Sequence, residues 1–280
     1  MLILKSIEHK FLCSFIILYN DGFIMMHLKA GFKMKNSKIV ILNLFIIVTL
    51  ILLGSHVSGA QPLLDQPTIK GLRLGEILEY SIKVKGIPAG SQIMQVKDKR
   101  VIGGREVYHL EARSYANKFF SLFYQFDDQV ESYVVKDSIY PLKFFRNLVD
   151  GGYRGNTSID IDDSKRIVRI VKNMKRYEFN IPKGIQDELS MLYFVRTKDI
   201  EVGKKYEFPA IMGTKIYNID LEVLRTEYIN TIFGKTKTFV IKSVVGDVIF
   251  WVTQDDNRIL VKLETGTKLG KLVAELKSIS

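Results

Sequence analysis

From residue 78 onward, apolar and polar residues alternate with period two along most of the chain. Leu78, Tyr80, Ile82 and Val84 fall on one side and Glu79, Ser81, Lys83 and Lys85 on the other, the pattern of a strand with one buried and one wet face. Residues 86–90, G-I-P-A-G, turn the chain back, with Gly86 and Gly90 suited to a turn that needs positive φ. A second strand over 92–97 runs to a turn at Gly103 and Gly104. A third points Tyr108, Leu110 and Ala112 inward against His109, Glu111 and Arg113. Tyr124, Phe126, Val130, Tyr133 and Val135 predict one long strand, bulged near Asp127 and Asp128 where the apolar phase shifts. Turns follow at Gly151 and Gly152 and at Asp162 and Asp163.

Two further strands carry Val168 with Ile170 and Tyr177 with Phe179 and Ile181. Later ones are expected over 206–210, 217–223, 236–243, 248–253, 259–264 and 268–276. One segment reads as helix, about 187–196: Asp187 is placed as its N-cap, and Leu189, Leu192, Tyr193 and Arg196 recur at three- and four-residue steps. Roughly a dozen antiparallel strands with regular turns predict a mainly β fold, a single curved sheet or barrel-like domain with one central helix. A sheet this long curls because strand twist accumulates. Its concave face is then either filled by the helix or free to hold a ligand.

The N-terminal part departs from this pattern. Residues 34–60 carry Lys35 and Lys38, an apolar run over 39–53, and small residues up to Ala60, the three parts of a secretory signal peptide. The apolar run falls short of the roughly 20 residues that span a bilayer. Cleavage is expected between Ala60 and Gln61, the alternative being a retained anchor. Residues 1–33 place a second, interrupted apolar stretch ahead of a complete signal, so Met34 is the expected translation start. The domain then covers 61–280, exported to the periplasm or cell envelope.

Composition narrows the classes. The single cysteine, Cys13, precedes the signal, which excludes a disulfide scaffold or a cysteine zinc site in the exported chain. The formal charge of the whole sequence is +11; without residues 1–60, which hold six lysines and two acids, 35 basic and 28 acidic residues leave +7. The excess favours anionic partners such as lipid headgroups or envelope polymers, whereas export and the scatter of the charges argue against nucleic acid.

Residues with the spacing that reaction chemistry needs are few. His109 is the only histidine after residue 60, with no G-x-S-x-G anywhere, so it reads as a surface residue on the polar phase of its strand. With no second histidine, a zinc site is not expected. The acids at 127–128, 162–163 and 255–256 read mainly as turn or strand residues, since adjacent acids on a strand face opposite ways. No phosphate loop occurs, which removes nucleotide chemistry and nucleotide cofactors. The cluster Phe119, Phe120, Phe123, Tyr124 and Phe126 reads as core, with an exposed lipid or partner contact as its alternative. Trp251 is expected to pack inside with its indole N–H paired.

Four stretches resemble the exported bacterial family known as domain of unknown function 3108 (DUF3108): G-E-I-L-E-Y-S-I-K-V-K-G-I-P-A-G over 75–90; Tyr124 with Asp128, Glu131, Ser132 and Tyr133, then Pro141; Q-D-E-L-S-M-L-Y-F-V-R over 186–196; and W-V-T-Q-D-D-N-R-I-L-V over 251–261 with K-L-G-K-L-V-A-E-L over 268–276. Leu260 and Gln254 depart from the family's usual Pro and Asp. The resemblance implies an envelope protein with no assigned catalytic residues. Tyr124, Asp128, Glu131, Arg196 and Trp251 are the candidate functional residues, with Asp128, Glu131 and Arg196 expected to meet in a buried or half-buried ion pair. A non-enzymatic binder of a lipid or other amphiphile in the curved sheet is the leading expectation. An assembly module that docks envelope proteins through exposed aromatics such as Phe119 and Phe120 comes second, and a carboxylate-dependent hydrolase of envelope polymers third. Membrane contact is expected only through the signal segment or peripherally.

Overall fold

A computed structural model describes residues 72–243, 245–267 and 270–280; the expected signal peptide, its expected cleavage point and the segment before it lie outside the described residues. The described chain is one antiparallel sheet of fourteen strands, curved and unclosed, in the order β8-β7-β6-β5-β4-β3-β2-β1-β14-β13-β12-β11-β10-β9. The first meander comprises β1 (Ile77–Val84), β2 (Ile87–Ile102), β3 (Arg105–Ala116), β4 (Phe126–Val135), β5 (Tyr140–Asp150), β6 (Tyr153–Asp162), β7 (Ile167–Lys172) and β8 (Lys175–Asn180). The second comprises β9 (Lys205–Met212), β10 (Lys215–Thr231), β11 (Gly234–Ser243), β12 (Val248–Thr253), β13 (Leu260–Thr267) and β14 (Gly270–Ile279). Pairing of β1 with β14 joins the two meanders.

Two helices interrupt the strands: α1 (Lys118–Ser121), a single turn between β3 and β4, and α2 (Ser190–Arg196), between β8 and β9. The inner residues of nearly every strand, among them Tyr80, Val96, Leu110, Val134, Phe144, Ile170, Ala210 and Leu263, form one buried cluster that also takes in Leu189, Met191 and Tyr193 around α2. The helix therefore fills the concave face. A short helix is marginal alone, and its sequence is apolar on the sides that meet the sheet.

The expected helix over 187–196 begins three residues late. Asp187 nonetheless acts as its cap, because its Oδ1 accepts the backbone N–H of Leu189 at 2.9 Å and of Ser190 at 2.6 Å. The expected bulge near Asp127 and Asp128 is absent from the β3–β4 pairing; β4 shifts register against β5 between Tyr133 and Val134. Asp128, Val130, Ser132 and Val134 all face inward without interruption. A buried charge at Asp128 breaks the hydrophobic pattern, not the strand.

Gly86 has φ +79°, as its turn requires, whereas Gly90 lies within β2 and serves a different need. A Cβ at Gly90 would sit 2.3 Å from the carbonyl oxygen of Tyr115 on β3, so only glycine lets the two backbones approach beside the register shift of β1 against β2. Gly90→Ala is expected to destabilise the protein by about 1–3 kcal/mol, because backbone rather than a movable side chain must yield; urea unfolding reads the difference.

Candidate functional site

The segment entering α2 is the most polar part of the interior. Gln186, Asp187, Glu188 and Ser190 are all buried. Gln186 bridges β9 in parallel at Ala210, donating its N–H to the Pro209 carbonyl at 2.9 Å and accepting from Ile211 N–H at 2.8 Å. The hydroxyl of Ser132 on β4 donates to Asp187 Oδ2 at 2.5 Å. Glu188 accepts from Arg146 Nη1 on β5 at 3.1 Å and from the Gly213 N–H in the β9–β10 turn at 2.8 Å. The segment is thus fastened to both halves of the sheet.

Arg146 also grips Asp128 with both arms, Nε to Oδ1 and Nη2 to Oδ2, each at 2.8 Å. At the far end of α2, Arg196 makes the corresponding fork with Glu76, just before β1, at 2.6 and 2.9 Å, and donates to the Asn257 carbonyl in the β12–β13 turn at 3.2 and 3.3 Å. The Tyr193 ring lies 5.5 Å beneath the guanidinium. Bidentate geometry and full partnering are what let such charges sit in a dry interior.

The expected meeting of Asp128, Glu131 and Arg196 does not occur. Asp128 belongs to Arg146 and Arg196 to Glu76, while Glu131, an odd number of residues from Asp128 along β4, faces out of the opposite side of the sheet. There Glu131 accepts from Tyr133 O–H at 3.2 Å and lies 3.0 Å from His109 Nε2. His109 is buried rather than on the surface, stacked on Tyr133 at 4.5 Å. His109, Glu111 and Glu131 hold ligand-type atoms within 4.8 Å of one another, a group that spacing could not reveal because it forms across strands, where Glu111 and Glu131 are direct partners. Lys97 Nζ already lies 2.5 Å from Glu111, so the cluster carries its own cation and is balanced as an ion-pair network.

Tyr124 donates to Asp150, and burial raises the Asp150 carboxyl above its usual range. Trp251 is buried with its N–H paired to Glu227, and Lys262 stands 4.6 Å over its ring. Its neighbours Phe250 and Val252 face the concave side, so Trp251 lies on the outer face, correcting the expectation that its ring packs inside, although its N–H is paired as expected. The five candidates therefore form no common cleft, although Tyr124, through Asp150, and Asp128 share the charge of Arg146.

Between α2 and the inner faces of β1, β2 and β9–β13 remains an apolar cavity of about 50 Å³, bordered by Met94, Tyr193, Leu221 and Phe250. That is room for a few water-sized groups. Apolar surface is instead left outside, in the loop over 117–125. Phe119, Leu122 and Phe123 are 63, 78 and 76 % exposed, correcting the expectation that this cluster is core. Phe119 meets Phe120 and Phe123 edge to face at 5.9 and 5.5 Å. Asn117 fixes the loop: its Oδ1 caps α1 through Phe120 N–H at 2.9 Å, and its Nδ2 donates to the Pro88 carbonyl at 2.7 Å.

Such an arrangement defines a mainly β domain: one long sheet curled about a helix, with two buried arginine forks in its interior and Phe119 and Phe123 exposed on the loop over 117–125. The chain belongs to the DUF3108 family, described as a protein of unknown function, which matches residues 79–277. No curated protein matches it. Among solved structures it is similar to a β-barrel-like protein of the DUF1849 family from Brucella abortus, at 8 % identity and TM-score 0.48, over 74 % of this chain and 97 % of that one. A Bacteroides fragilis protein named as exported, with a YmcC-like fold, matches at 8 % identity and TM-score 0.31, over 76 % of this chain and 99 % of that one. A Parabacteroides distasonis protein named as a lipoprotein matches at 13 % identity and TM-score 0.30, over 77 % of this chain and all (100 %) of that one.

Two predictions concern the interior. Arg196→Met leaves Glu76 charged and unpaired, and is expected to cost about 3–5 kcal/mol in urea unfolding; adding Glu76→Leu is expected to recover much of that loss. The second concerns pH. Burial pushes the Asp187 carboxyl up from 3.8 to about 6, against the hydrogen bonds from Ser132, Ser190 and Leu189 that favour its charged form. A carboxyl raised on folding binds a proton that the unfolded chain has released, so its contribution is full below about pH 4 and is lost as pH rises through about 6. Asp187→Asn keeps the acceptor for both backbone N–H groups and removes this titration. The stability of the variant relative to the parent is therefore expected to rise between pH 4 and pH 7, by at most about 3 kcal/mol.

Proposed function

We propose that this protein is a non-enzymatic docking module of the bacterial cell envelope, exported by the signal over 34–60 and cleaved after Ala60, that engages its partner through the loop over 117–125. The observation that carries the reading is the exposure of Phe119, Leu122 and Phe123 on a loop that is capped and tied rather than loose. Large apolar side chains held together in water are unfavourable by about 25 cal/mol for each Å² left exposed, and contiguous apolar patches mark sites of contact.

The filled interior weighs against an amphiphile lodged in the sheet, since an acyl chain needs far more than the remaining 50 Å³ unless α2 leaves its place. Asp128 and Glu131, on opposite faces with partners of their own, do not supply a hydrolase with two carboxylates in one cleft. Both features favour docking over the other two readings.

A photoreactive phenylalanine analogue at position 123, and another at Phe233 in the β10–β11 turn, tests the reading in living cells. Position 123 is expected to yield a discrete adduct with an envelope component, and position 233 none. An adduct pattern at 123 no different from that at 233 overturns it. Any retained N-terminal anchor is common to both proteins and cancels in the comparison.

A further inference from the structure

Four consecutive hairpins place their turns along the same rim of the sheet: Lys85 and Gly86 between β1 and β2, the α1 loop between β3 and β4, Gly151 and Gly152 between β5 and β6, and Asn173 and Met174 between β7 and β8. Contacts make the row continuous. Asn117 reaches Pro88, Gly151 N–H donates to the Gln125 carbonyl at 2.8 Å, and Asn173 Nδ2 donates to the Tyr153 hydroxyl at 2.8 Å. The exposed apolar side chains of the row are Ile87, Phe119, Leu122, Phe123 and Met174, the last 92 % exposed.

The same turns are strongly basic. Residues 85–87, 117–125, 151–154 and 172–176 contain Lys85, Lys118, Arg154, Lys172, Lys175 and Arg176 and no acid. The acids beside them are already engaged: Asp127 with Arg113 at 2.6 Å, and Asp150, buried, with Tyr124. Aromatic and aliphatic tips set in one row with Lys and Arg that no described acid pairs match the interface of an anionic bilayer, where aromatic rings settle at headgroup depth and cations meet phosphate.

Resting on the docking reading above, we infer that the partner of this rim is an anionic lipid surface, with Phe119, Leu122 and Phe123 inserted to interfacial depth and the basic residues around them on the headgroups. A protein partner is the competing occupant. A tip that projects in line with its neighbouring turns, rather than lining a groove, suits a flat deformable surface better than a folded one.

The test uses the full chain carrying Phe123→Trp, with phosphatidylglycerol vesicles that bear brominated or ordinary acyl chains. Trp251 is buried and supplies a constant background. Emission from position 123 is expected to shift to the blue and to be quenched by the brominated chains. In phosphatidylcholine vesicles, in high salt, or with Lys118→Glu and Lys175→Glu together, the apparent affinity read at position 123 is expected to fall at least tenfold. Phe233→Trp, at the opposite rim, is expected to stay unquenched. Position 123 unquenched in phosphatidylglycerol vesicles overturns the lipid inference, as does equal quenching at 123 and 233. If position 123 is unquenched but still forms a discrete protein adduct in cells, the docking reading survives and its partner is a protein; with neither signal, both fail.

Discussion

The architecture depends on a charged strut crossing an oily interior. Residues 186–196 run from one edge of the sheet into its hollow, and ion pairs or hydrogen bonds fix them at each end: Asp187 to Ser132 and Glu188 to Arg146 on one side, Arg196 to Glu76 and Asn257 on the other. Hydrophobic contact alone is non-directional, and a seven-residue helix in a curved apolar trough could slide or turn at little cost. The Arg196–Glu76 fork at one end, and the bonds of Asp187 to Ser132 and Glu188 to Arg146 at the other, remove that freedom. Buried pairs of this kind add little net stability over apolar replacements; what they fix here is where the helix stops, and hence how much of the trough is left empty.

The strut also deals with the problem of an unclosed sheet. An edge strand offers unpaired backbone groups to any other chain. At β9 the bridge from Gln186 takes up part of that edge. At β8 no such cover is present among the described residues, and the strand instead carries Lys175, Arg176 and Glu178 in an exposed run. Charge at one edge and a covering segment at the other are two means to the same end.

Most strands were legible because their two faces meet different solvents, and alternation records this directly. What stayed hidden depended on pairing across strands. Asp128 is expected in a buried or half-buried pair, but its partner Arg146, eighteen residues later on the neighbouring strand, is found only once the strands are paired; the apparent phase shift was that charge seen without its partner. His109 reverses the error, polar by type yet buried under Tyr133 stacking over the outer face. The register that makes Glu111 and Glu131 neighbours has no trace in either strand alone. The aromatic loop failed for another reason: five aromatics within eight residues suggest core by composition, and only the turn of α1 and the Asn117 cap decide that the tip projects outward.

These errors bear on function in one direction. Each candidate polar residue proved engaged with a partner of its own, and Phe119, Leu122 and Phe123, which read as core, are presented to solvent. The interior is filled and its buried charges are paired, so the side chains left without such partners lie at the surface. The two rims of the sheet are not equivalent in this respect. The turn holding Ile232 and Phe233 is also apolar and exposed, but it is the tip of a single long hairpin. On the opposite rim, four turns are joined by hydrogen bonds into one row, so apolar and basic groups there are held at fixed spacings over a broad front. A rigid front of that kind loses little conformational freedom on contact, which gives a weak interaction at each side chain the means to add up to a stable attachment.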